Sequence, residues 1–182
     1  MRYTLLLVLN LPWLICDSAY STSFGLREAG VLVSINGKPA ICVPEHAKKN
    51  FLVGWISLTE SYKRNPPSWG ASLLPGFKPL TLSPGECITF GAAPEGYEFD
   101  SYKLGTKELA LKVNRTYVFS LVDANFPTNS YDAVFCVNKT VTGSVEYLQY
   151  TRLADGSQIS PACDGKRNAD TAGAIGSGDV NK

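Results

Sequence analysis

Apolar residues recur at every second position through much of the chain, and that period predicts strands. Leu109, Leu111 and Val113 alternate with Ala110 and Lys112, Asn114-Arg115 forms a tight corner, and Tyr117, Phe119 and Leu121 resume the alternation. A third run places Tyr131, Ala133, Phe135 and Val137 on one face. Upstream, residues 30–35 and 40–43 predict a hairpin across Asn36-Gly37, a dipeptide suited to the positive φ angles of a two-residue turn. Residues 51–61 form the longest apolar candidate, with Phe51, Val53 and Trp55 expected on one face and Leu52, Ile56 and Leu58 on the other. Residues 80–90 predict two short strands about a Ser83-Pro84-Gly85 turn, and residues 145–153 a last strand. Between them, residues 63–69 hold Pro66-Pro67 and predict a stiff exposed loop, while residues 91–105 predict a longer one.

These segments amount to about seven to eight strands with no amphipathic helix, which argues an all-β antiparallel sandwich, or alternatively a partly open barrel. The leucine, corner, tyrosine order of residues 109–117 resembles the E–F corner of immunoglobulin-like and fibronectin type III sandwiches. That resemblance implies an immunoglobulin-like fold in which the Tyr117 hydroxyl is tied back to nearby backbone. The expected division is a leader over residues 1–21, a sandwich over 30–163 and a disordered tail over 164–182, where Gly, Asp, Asn, Ala and Ser leave little to bury.

The leader expectation rests on a basic tip at Arg2, a short apolar run from Leu5 to Cys16, and small residues suited to cleavage near Ser21. The run is shorter than the roughly 20 residues of a spanning helix. A lipid anchor at Cys16 is the competing route, although Ile15 stands where such sites use small residues, and membrane association is expected only if that route is taken. Losing Arg2 and Asp17 with the leader leaves the net charge at +1, so no charge-driven partner and no nucleic acid is expected. Four cysteines then remain, Cys42, Cys87, Cys136 and Cys163, and in an exported chain they predict two disulfides. Three pairings are open; Cys42 with Cys87 and Cys136 with Cys163 is preferred, because the first two fall on strands and the last ties a tail to a strand.

Residue supply argues against catalysis. His46 is the only histidine and sits in a lysine-rich turn, no nucleophile, zinc or phosphate-loop motif is present, and neither a metal site nor a cofactor is expected. Glu95, Glu98 and Asp100 could serve glycoside chemistry, but crowded on one loop they suit binding better. Tyr97 and Tyr102 on that loop offer contact area at low entropic cost, and Trp69 beside the prolines is a second candidate contact. The competing readings are an ordinary solvated loop and a tryptophan folded onto the sheet edge. Asn114-Arg115-Thr116 and Asn138-Lys139-Thr140 fit the N-glycosylation pattern, a triplet common by chance.

The exported leader, the runs 40–43, 56–58, 82–88 and 116–120, and Ala133-Val-Phe-Cys-Val137 together resemble the immunity periplasmic lipoproteins of bacterial type VI secretion loci, over roughly residues 30–140. The resemblance implies a periplasmic sandwich that binds and neutralises a cognate toxic effector, without a fixed contact motif to carry over. The second functional expectation is a secreted adhesin or carbohydrate-binding module using Trp69 and the tyrosines as sugar platforms.

Overall fold

The computed structural model describes residues 25–61, 63–100, 109–152 and 158–159. The expected leader, Cys16, Tyr102, Cys163 and the tail from residue 164 lie outside the described residues. Within them every regular element is a strand, in the order β1 (Arg27–Ala29), β2 (Val31–Ile35), β3 (Lys38–Cys42), β4 (Phe51–Glu60), β5 (Ser68–Leu73), β6 (Leu80–Leu82), β7 (Cys87–Thr89), β8 (Tyr97–Phe99), β9 (Thr116–Asp123), β10 (Ser130–Lys139), β11 (Val145–Gln149), β12 (Thr151–Arg152) and β13 (Gln158–Ile159). The count exceeds seven to eight because β1, β8, β12 and β13 have only two or three residues each, too few to register as a period, and because β5 follows the expected proline loop unannounced.

An eight-stranded sheet runs β1-β10-β9-β4-β5-β8, with β11 also paired to β10 and β6 also paired to β4. A three-stranded sheet, β2-β3-β7, forms the second layer, and β12 pairs β13. The fold is thus an all-β, mostly antiparallel sandwich; the pair β1–β10 is parallel. Asn36 and Gly37, with φ of 51° and 74°, make the expected turn between β2 and β3. The residues around Ser83-Pro84-Gly85 also fold as expected, but β6 joins the large sheet and β7 the small one, so this turn carries the chain between layers. Ile41 and Val43 from the small-sheet side meet Val53, Ile56, Leu58, Tyr117, Phe119, Leu121, Phe135 and Val137 from the large sheet, all essentially sealed from solvent.

Four expectations are corrected. Residues 109–112 alternate in exposure, with Leu109 buried, but Val113 is exposed and the run forms no ladder. The edges they could join are taken, since β9 is already flanked by β10 and β4. In β4, Trp55 does not share a face with Phe51 and Val53, because a bulge between Val53 and Trp55 reverses the alternation. Leu52 is for the same reason not aligned with Ile56 and Leu58. Gly54 permits the bulge: a Cβ there would stand 2.6 Å from the Ala124 Cα, closer than packing allows. The expected proline loop ends early, with the Pro67 carbonyl accepting the Glu60 N–H at 3.2 Å and β5 starting at Ser68. The loop expected over 91–105 contains β8, paired with β5.

The corner tyrosine behaves as anticipated: the Lys112 N–H donates to the Tyr117 hydroxyl at 2.8 Å. Tyr117→Phe is expected to lower stability by about 1 kcal/mol, because it removes one part-buried hydrogen bond. Urea unfolding measures this, and an unmoved midpoint would mean that the bond contributes nothing net.

Tyr97, Tyr117, Tyr131 and Tyr147 all have phenols held above their ordinary value of 10.0, chiefly by burial. In the unfolded chain they ionise near that value while the folded chain still keeps its protons. Stability is therefore fully present below about pH 10 and falls as pH rises beyond it. A denaturation series from pH 8 to 12 should show that decline, with a smaller one in Tyr117→Phe.

Candidate partner-binding edge

Antiparallel pairing of β4, β5 and β8 sets out the face of the large sheet that points away from the core. Trp55 lies opposite Ser72, and Ser72 opposite Glu98. The bulge at Gly54 turns Trp55 outward and leaves it 40% exposed. Its indole N–H donates to Asp100 Oδ2 at 2.7 Å, and the Ser72 hydroxyl donates to Asp100 Oδ1. The Asp100 N–H in turn donates to the Gly70 carbonyl at 3.0 Å. Asp100 is thus a positioning group that fixes the indole against the sheet.

Glu95 and Glu98, without such ties, stand exposed beside this cluster. Phe99 points to the core side of the same strand, where the small sheet does not cover it, and is 55% exposed. Phe77, exposed to a similar degree, packs over Gly96. Glu98 thus shares the outward face with Trp55, whereas Phe99 lies on the opposite face of the same edge strand.

Two expected contact residues belong to the interior. The Tyr97 ring is buried, and its hydroxyl sits inside the ladder where β6 meets β4, accepting from the Leu80 N–H at 3.0 Å and donating to the Val53 carbonyl. Trp69 is half-buried, with its ring 5.2 Å from Phe90 and 6.2 Å from both Phe119 and Phe99. Only its contact with Phe99 reaches toward the exposed edge. The reading of Trp69 as folded onto the sheet describes it better than the reading as a free anchor. Trp55 and Phe99 are the residues that sequence reasoning passed over. The one available signal was Gly54, a strand-interior glycine of the kind that marks a bulge.

Compared with protein-family models, with curated proteins and with solved structures, the chain matches none. The edge stands on its own geometry.

Cysteine chemistry and charge complete the picture. Cys42 and Cys87 are bonded across β3 and β7, at 45 residues' separation. Cys136 is disulfide-bonded as well; Cys163, the partner expected for it, lies outside the described residues. Glu60 is a buried acid on β4, held by Lys63 at 2.7 Å and approached by Arg115 at 3.8 Å. The Lys63 ammonium meets Oε2, whereas the buried Oε1 accepts no hydrogen bond and, among the described residues, has only the Arg115 charge nearby. Among the described residues no group of three or more His, Cys, Asp or Glu side chains converges as a metal site would require.

Proposed function

We propose that this protein is a non-enzymatic binding module of an oxidising compartment, and specifically a periplasmic immunity protein that neutralises a cognate antibacterial effector. The observation carrying the proposal is the edge at β8, where a part-exposed Trp55 fixed by Asp100 shares the outward face with exposed Glu98, and exposed Phe99 lies on the opposite face of the same strand. Fixed aromatic side chains beside a polar rim are found at protein interfaces. The disulfide between Cys42 and Cys87 supports an oxidising setting. The immunity assignment itself draws on the resemblance of the leader and cysteine-bearing strands to that family.

A sugar-binding reading is favoured by one feature, a part-exposed Trp55 on an outward sheet face with Ser72 opposite it on β5 and Val122 opposite it on β9. In that reading Trp55, rather than Trp69, is the platform.

Co-purification with the product of the adjacent gene, followed by calorimetry, tests the first reading. Charge reversal at Glu95 and Glu98 should slow association and raise Kd at least about tenfold while leaving the unfolding midpoint in place, since complementary charge acts on encounter rate. Asp100 is left out of the reversal because it anchors Trp55. Unchanged binding moves the interface elsewhere on the molecule. Absence of any protein partner, with retention on a polysaccharide column that Trp55→Ala abolishes, would replace this reading with the second.

A further inference from the structure

Three turns gather at the end of the sandwich where β9 begins and β10 finishes. The Asn114 N–H donates to the Val137 carbonyl at 2.8 Å and the Val137 N–H to the Arg115 carbonyl at 3.1 Å, which fastens the corner of residues 112–115 to the end of β10. The Tyr147 hydroxyl donates to the Gly37 carbonyl at 2.8 Å and brings in the β2–β3 turn. Beyond Lys139 the chain reverses through residues 140–144, and Val145 returns opposite Lys139.

This end is apolar at its tip and basic around it. Val141 is fully exposed, and Val145 and Val113 are 48% and 41% exposed. Lys38, Lys112 and Lys139 are exposed as well, and among the described residues none of them enters an ion pair. The acids beside them are engaged: Glu146 accepts from Asn138 Nδ2, and Glu60 is buried against Lys63 and Arg115. The opposite end, where β4 starts, instead mixes Lys48 and Lys49 with Glu28 and Asp123.

The tip also satisfies much of its own hydrogen bonding. The Thr140 N–H donates to the Ser144 carbonyl at 2.8 Å, the Gly143 N–H to the Thr140 carbonyl at 2.9 Å and the Ser144 N–H to Thr140 Oγ1 at 3.0 Å. The Thr140 and Thr142 hydroxyls bond each other at 2.8 Å. Groups paired in this way cost little to take out of water. We propose that this end docks on an anionic lipid surface, with Val141 entering the headgroup boundary and the lysines meeting the lipid phosphates. An acidic protein would satisfy the lysines as well, but a tip already paired with itself offers it few hydrogen bonds. This docking is separate from the β8 edge and does not rest on the partner reading.

The experiment mixes the purified full chain with vesicles of phosphatidylcholine alone, or of an equimolar mixture with phosphatidylglycerol, and reads the bound fraction by flotation. Binding should require phosphatidylglycerol. Lys112→Gln with Lys139→Gln should weaken it at least about tenfold, and Val141→Ser, which keeps every charge, about fivefold. Lys48→Gln with Lys49→Gln, which removes the same charge from the opposite end, should leave it nearly unchanged. All these side chains are exposed, so the unfolding midpoint should stay in place, which separates lost contact from lost fold. Equal losses from the two lysine pairs would reduce the effect to overall charge and overturn the site. Binding indifferent to Val141→Ser would overturn the entry of the tip. Failure to bind the mixed vesicles would overturn the proposal altogether, and capture on immobilised polyglutamate that Lys112→Gln with Lys139→Gln abolishes would then assign this end to an acidic protein.

Discussion

Tyr97→Phe should lower the free energy of unfolding by about 2–4 kcal/mol, several times the effect of Tyr117→Phe, although each removes a single oxygen atom. At Tyr97 the hydroxyl stands between a donor and an acceptor that would otherwise face each other across β4 and β6, the Leu80 N–H and the Val53 carbonyl. Phenylalanine leaves both unpaired beside fully buried Val53, and each orphaned group costs about 1–3 kcal/mol. At Tyr117 only one group, the Lys112 N–H, is released. Urea unfolding gives the magnitude, and hydrogen exchange at Leu80 gives the location, since its amide should lose protection selectively. A loss equal to that of Tyr117→Phe would mean that β6 closes directly onto β4 once the hydroxyl is gone.

Removing the disulfide, as Cys42→Ala with Cys87→Ala, should cost about 2–4 kcal/mol. The bond closes a long loop, 45 residues in separation, and that loop contains all of β4, β5 and β6. Its loss also weakens the outer strand of the small sheet, because β7 has three residues and pairs only with β3. Urea unfolding of the double variant against the parent measures the shift, since reductant would also open the bond at Cys136. A midpoint that stays in place would show that packing at Ile41 and Ile88 already fixes β7.

Strand positions were readable where a period was long enough to repeat and a turn residue stood at its end. Asn36-Gly37 gave its hairpin, and residues 116–123 and 130–139 gave the two central strands. Residues 109–113 misled because alternating burial reports packing against a core, not hydrogen bonding to a neighbour, and only topology shows which edges are free. Trp55 misled because a bulge shifts the period by one residue, and the contact of Gly54 with Ala124 that enforces it spans distant sequence. The site suffered from the same cause. Tyr97 and Glu98 are adjacent in sequence, yet β8 sends one inward to the ladder and the other outward to solvent. The acidic half of the expected patch was therefore legible as composition, while its aromatic half could be assigned only once strand pairing was known.

The parallel pairing of β1 with β10 sets the order in which this chain can mature. The Leu26 N–H bonds Asn129 across 103 residues, and the strands beside it close in register from Arg27 with Ser130 to Ala29 with Asp132. During synthesis the first strand appears at the start, and the edge it must find is among the last to emerge. Each intervening stretch has to be ordered before that closure gains anything, which places such chains in the millisecond-to-second regime of folding rather than the microsecond one. Until then the backbone of β1 is without its hydrogen-bonding partner. Delay in that closure would leave the edge of β10 open to pairing with another molecule.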